Sequence, residues 1–79
     1  MKALVYVTLK QGVLDPQGKA VTSGLHALGF EGVNDVRVGT FFEVEVSGED
    51  ASQARLEEMS GKLLANTVIE DFRVELVQE

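Results

Sequence analysis

The side chains that could perform chemistry are few in this sequence, and they are not arranged to do it. His26 is the only histidine and falls between Leu25 and Leu28 on a helical stretch. A metal centre there would need further ligands at ordered spacing, and only scattered carboxylates are at hand. Cysteine is absent, which removes thiolate nucleophiles, thiolate metal sites and disulfides together. Ser23, Ser47, Ser52 and Ser60 have no adjacent base and no nucleophile-elbow motif. The acidic pairs Glu43/Glu45, Glu49/Asp50, Glu57/Glu58 and Glu70/Asp71 read as solvated acidic faces. Eight glycines form neither a GxGxxG nor a Walker-type loop. The residues therefore predict no catalytic, cofactor-binding or metal site of the chain's own.

What the sequence does carry is apolar surface in unexpected places, and the elements that must position it can be read in order. Lys2 to Lys10 is a strand with Ala3, Val5, Val7 and Leu9 on one face. Leu4 and Tyr6 make the other face greasy as well. After the connector Gln11–Leu14, Asp15 is a natural N-cap and Pro16 a natural first helical residue. Val21, Leu25 and Leu28 follow at i, i+4, i+7, and Gly29 suits the left-handed residue that ends a helix. A second helix is expected from about Asp50 to Ala65, with Leu56, Met59 and Leu63 as its inner stripe and Asn66 as a left-handed terminator. A last strand, Val68 to Val77, places Phe72, Val74 and Leu76 opposite Asp71, Arg73 and Glu75.

Asp35 to Ser47 is the most informative stretch. Val36, Val38, Thr40, Phe42, Val44 and Val46 occupy one parity, and Asp35, Arg37, Gly39, Phe41, Glu43 and Glu45 the other. A two-residue hairpin at Gly39-Thr40 would break this phase, because it would pair Val36 with Glu43. One long strand, kinked or bulged at Gly39, fits better. Thirteen residues span roughly 43 Å, whereas a compact domain of this length has a radius of gyration near 12 Å. One end of the strand would overhang, and its unpaired backbone groups would call for a second copy. A homodimer or homotetramer through residues 35–47 is the expectation, with Phe41 on the charged parity as an interface residue. Arg37 has Glu45, or a neighbour's carboxylate, as an ion-pair candidate.

The fold class expected is α+β, a two-layer βαβαβ domain covering residues 1–79, with a ferredoxin-like βαββαβ order as the alternative. A chain this short hides only about 60% of its unfolded surface, so self-association is a natural source of further burial. Thirteen acidic against seven basic residues give a net charge of −6, which argues against nucleic acid or an anionic membrane as partner. An RNA-binding reading fails for want of basic residues interleaved with strand aromatics. The first ten residues lack the pattern of a signal peptide, and a cytoplasmic location is expected.

Several runs resemble one family. Val5-Tyr6-Val7-Thr8-Leu9-Lys10, Val13-Leu14-Asp15-Pro16-Gln17-Gly18, Asp35-Val36-Arg37-Val38-Gly39 and Leu63-Leu64-Ala65-Asn66-Thr67-Val68-Ile69-Glu70-Asp71-Phe72 are similar to the small PurS subunits of multi-subunit phosphoribosylformylglycinamidine synthase. Thr40 departs from that pattern, which usually has a lysine after VRxG. The resemblance implies a non-catalytic subunit of an ATP-dependent carbon–nitrogen ligase in purine biosynthesis. In such a complex a glutaminase subunit releases ammonia from glutamine. A synthetase subunit, using ATP and magnesium, converts formylglycinamide ribonucleotide to formylglycinamidine ribonucleotide with ADP, phosphate and glutamate. The small subunit would bring the two together and bind no cofactor itself. The residues proposed for contact with partner subunits are Asp15, Pro16, Gln17 and Gly18 at the helix start, Arg37, Gly39 and Phe41 in the long strand, and Leu64 and Asn66 in the second helix and the turn after it. Without the resemblance, a dimeric small-molecule-sensing module would be the alternative, with Gly32, Asn34 and Asp35 lining its site.

Overall fold

The computed structural model of the chain describes residues 1–78. Its elements are β1 (Lys2–Leu9), α1 (Pro16–Ala27), β2 (Gly39–Glu45), α2 (Gln53–Met59) and β3 (Glu70–Val77). A 3-10 turn at Gly48–Asp50 precedes α2, and a π-helical turn at Ser60–Leu64 follows it directly. The three strands form one antiparallel sheet in the order β2-β1-β3. The fold is thus the expected α+β class, and with three strands among the described residues the ferredoxin-like alternative is not formed.

β1 is central because its inner parity is the most consistently apolar. Ala3, Val5 and Val7 are all but inaccessible, and the register sets them in rows with Val44 and Leu76, Phe42 and Val74, and Thr40 and Phe72. Ala65 and the half-buried Leu64 cover that face from the helical layer, and Leu56 is fully buried in α2. The alternation from Asp35 to Ser47 holds in the structure except at Thr40, which is exposed: Val36, Val38, Phe42, Val44 and Val46 are half-buried, and Asp35, Arg37, Phe41, Glu43 and Glu45 are exposed.

The ladder is shorter than the pattern predicts. It begins at Gly39, paired with Thr8, and ends at Glu45. The reason is the partner, not the strand: β1 stops at Leu9, so residues 35–37 lie beyond its end, and Val38, though opposite Leu9, gives its N–H to the Asp15 carboxylate instead. At the far end Val46 still exchanges backbone bonds with Met1, at 3.0 and 3.2 Å.

α1 starts and stops as expected, with Asp15 as cap, Pro16 in the first turn and Gly29 at φ +96°. Its apolar stripe, however, does not pack on the sheet. Val21 is 44% exposed and Leu28 74%, and α1 makes no extended packing against any strand. Consequently the radius of gyration is 15.7 Å and the molecule measures 49 × 30 × 13 Å, well beyond the ~12 Å radius of a compact chain of this length.

The second helical segment also departs from a regular helix. Its α-helical part begins after the Ser52 cap, whose hydroxyl accepts from the Arg55 amide. From Ser60 it widens into a π turn closed by the Ala65 N–H to the Ser60 carbonyl at 2.8 Å. One extra residue per turn advances the phase. Leu64 and Ala65 then face the core, and Leu63, expected on the inner stripe, is 84% exposed. Asn66 is not left-handed: among the described residues positive φ occurs at glycines alone. Its side-chain oxygen instead accepts from the Val68 N–H and its carbonyl from Ile69 and Glu70, a turn that delays β3 from Val68 to Glu70.

Candidate functional site

The densest polar constellation lies where β1 leaves the sheet and α1 begins. Gly12, at φ +85°, helps turn the connector back on itself, and the Val13 N–H closes it onto the Lys10 carbonyl at 3.1 Å. This delivers Asp15 to a position that leaves it only 6% exposed. One carboxylate oxygen caps α1 through the Gly18 N–H at 2.8 Å. The other accepts the Val38 N–H, also at 2.8 Å, from the segment that leads into β2. The helix thus becomes bonded to a stretch of chain 23 residues later.

Arg37 completes the arrangement. Its Nε lies 4.0 Å from the Asp15 carboxylate. Its terminal nitrogens donate to the carbonyls of Leu9 and Lys10 at 3.3 Å and of Val13 at 3.5 Å. The expected pairing with Glu45 is not made, since Arg37 lies outside the β-ladder and reaches the connector instead. The Val38 and Gly18 amides, and then the Arg37 charge, hold the Asp15 carboxyl below its ordinary value against the opposing effect of burial. Gly18 is required by proximity: a Cβ there would collide with the Val36 carbonyl oxygen. A Cβ on Gly39 would come within 2.5 Å of the Val7 carbonyl oxygen.

Between the head of α1 and the inner end of the sheet lies an open cleft of about 380 Å³, lined by Val7, Leu9, Pro16, Gln17, Val38 and Glu70 among others. Its two charged groups are already engaged. Both Asp15 oxygens accept backbone N–H groups, and Glu70 accepts the Asn66 N–H at 2.7 Å. Such a constellation holds segments together.

Of the residues singled out by sequence, Asp15, Pro16, Gln17, Gly18, Arg37 and Gly39 converge at this one place. Asn66 adjoins it through Glu70. Leu64 packs against the core instead, and Phe41 lies on the opposite face of the sheet. Gly32 and Asn34 are exposed in the loop before β2. His26 Nε2 donates a hydrogen bond to the Val33 carbonyl at 2.7 Å, tying that loop to α1. Sequence reading missed the Val38 amide and Glu70, since a backbone donor leaves no signature and Glu70 looked like one more surface acid. It also missed Arg73, whose guanidinium stacks 4.3 Å from the centre of the Tyr6 ring; only the β1–β3 register reveals that pair. Among the described residues no group of three or more potential metal ligands occurs, and no helix is long and apolar enough to cross a membrane.

Comparison with known proteins agrees with the motif resemblance. The family model described as "PurS: Phosphoribosylformylglycinamidine (FGAM) synthase" matches residues 2–78. The phosphoribosylformylglycinamidine synthase subunit PurS of Bacillus subtilis is 49% identical over 76 residues, covering 95% of this chain and 90% of the relative. A crystal structure of B. subtilis PurS superimposes with a TM-score of 0.86 over 98% of both chains. That of Methanocaldococcus jannaschii PurS, described as one of the subunits of formylglycinamide ribonucleotide amidotransferase in the purine biosynthetic pathway, gives 0.80 at 38% identity, again over 98% of both. This chain belongs to the PurS family, the small subunits of phosphoribosylformylglycinamidine synthase.

Proposed function

We propose that the chain works as the assembly subunit of its synthase in purine biosynthesis, holding a glutaminase subunit and a synthetase subunit in the arrangement that ammonia transfer requires. The chemistry, with ATP and magnesium, belongs to those partners; this chain acts in the cytoplasm as one domain that binds surfaces, not substrates. The observation that carries the reading is the Asp15–Arg37 knot. A buried carboxylate and a four-point guanidinium contact fix a helix whose apolar side is left open. Fixing an uncovered helix is useful when something else is to cover it. Ammonia must also travel without being protonated by water, and aligning two sites so that water is excluded is a task for rigid surfaces.

The α1 stripe and the unladdered residues 35–38 form one continuous region beside the cleft, and a second copy of the chain is the occupant we assign to it. The homodimer, or a tetramer built from it, would supply the strand partner that residues 35–37 lack and cover Val21, Leu25 and Leu28. Asp15, Pro16, Gln17, Gly18, Arg37, Gly39 and Asn66 border this region. The decisive assay measures synthesis by the purified synthetase and glutaminase subunits with and without this chain, first with glutamine and then with an ammonium salt. A requirement under glutamine that disappears under ammonia establishes the coupling role; no effect on either rate refutes it.

A further inference from the structure

The second face of the sheet is bare, and it is built differently from the region around α1. The cross-strand rows on it read Glu45–Lys2–Val77, Glu43–Leu4–Glu75, Phe41–Tyr6–Arg73 and Gly39–Thr8–Asp71. In the third row the Tyr6 and Phe41 rings are 5.2 Å apart and Arg73 lies over the far side of Tyr6. The row therefore runs cation, ring, ring, and stops at Phe41, which is 54% exposed on the edge strand. On the same face of that strand Glu43 stands one cross-strand row from the open ring and Glu45 two rows from it. The face carries four carboxylates and two cations, and both cations are engaged: Lys2 with Glu43 at 3.0 Å, Arg73 with Glu75 at 3.1 Å.

We propose that this outer face docks a cationic surface of a different protein subunit, with an Arg or Lys side chain laid on the Phe41 ring and its charge facing Glu43 and Glu45. The inference rests on the assembly role given above and names the chemistry of one contact surface. A ring with an open face beside carboxylates is a receptor for a cation on an apolar stem. Anionic partners are disfavoured by the same carboxylates. A second copy fits poorly on two counts. Face-to-face stacking would oppose two surfaces that each have a surplus of negative charge. Three strands by seven residues also offer only on the order of 350 Å², against roughly 800 Å² per partner in a stable complex. The face suits one contact among several made by a larger protein.

The test uses Phe41→Ser and, separately, Glu45→Lys in the full chain, titrated into the purified glutaminase and synthetase subunits with glutamine as nitrogen source. Both positions are exposed, so thermal melting and the mass by light scattering should match the unsubstituted chain. Half-maximal coupling should then need roughly tenfold more of either variant, and the defect of Glu45→Lys should deepen at low ionic strength. Coupling at unchanged concentration by both variants overturns the proposal. So does a fall in mass with either, which would make the face a contact between copies. Should Phe41→Ser melt early, Glu45→Lys carries the same decision alone. If the unsubstituted chain fails to support glutamine-driven synthesis, it is the assembly role that falls, and this shows before any variant is compared.

Discussion

Asp15 shows how much organisation one side chain can carry. Its depressed pKa means that the folded state prefers the ionised form, whose ordinary value is 3.8. The stability it contributes is fully present above that ordinary value and is lost as pH falls through the lower, folded one. Asp15→Asn should therefore lower the melting temperature by several degrees at neutral pH. The gap to the unsubstituted chain should close in acid, as melting curves from pH 7 to pH 2 would record. Two glycines of α1 make a paired test. Gly24 has open space where a Cβ would go, so Gly24→Ala should stabilise by up to about 1 kcal/mol through helix propensity. Gly18→Ala should destabilise despite the same propensity gain, because its methyl group would displace the Val36 carbonyl. Urea unfolding of the two variants, compared by midpoint, decides both.

At the scale of elements, the π turn at Ser60–Leu64 decides which leucines matter. Leu56→Ala should cost about 2–5 kcal/mol, the range for fully buried aliphatic side chains. Leu63→Ala should stay within about 0.5 kcal/mol, as exposed substitutions do. Equal losses would mean that the segment is a regular helix with Leu63 inside. The sequence was most legible where one face had to be apolar. β1, the parity of Asp35 to Ser47, the Asp15-Pro16 start and the Gly29 stop of α1 all follow from periodicity and capping chemistry. Legibility ended where a neighbour chose the outcome. Residues 35–37 have a strand's pattern but no strand beside them, Leu63 lost its place to an inserted residue, and Asn66 used its side chain to build a turn. Asp15 was recognised as a cap; its second bond, to Val38, belongs to the tertiary structure alone.

The whole molecule is a thin sheet with a helix held out to one side, and its stability should depend on concentration accordingly. If α1 and residues 35–38 meet a second copy, the melting temperature rises with protein concentration. Val21→Asp combined with Leu28→Asp should abolish that rise and reduce the mass to a single chain in light scattering. A concentration-independent melt for the unsubstituted protein would remove the dimer from the account.

The topology has one more consequence, and it concerns time. The central strand is the first to be synthesised, yet it pairs with residues 39–45 on one side and 70–77 on the other; Lys2 lies opposite Val77. Such pairings impose long loop closures before any contact is rewarded, and folding of this kind runs in milliseconds to seconds, not microseconds. During synthesis β1 must wait with both edges open, its Val5 and Val7 unshielded, until β3 has left the ribosome. A chain interrupted before residue 70 keeps one edge of that strand permanently unpaired, a template for aggregation. Expression of residues 1–69 should therefore leave a larger insoluble fraction than expression of residues 1–79.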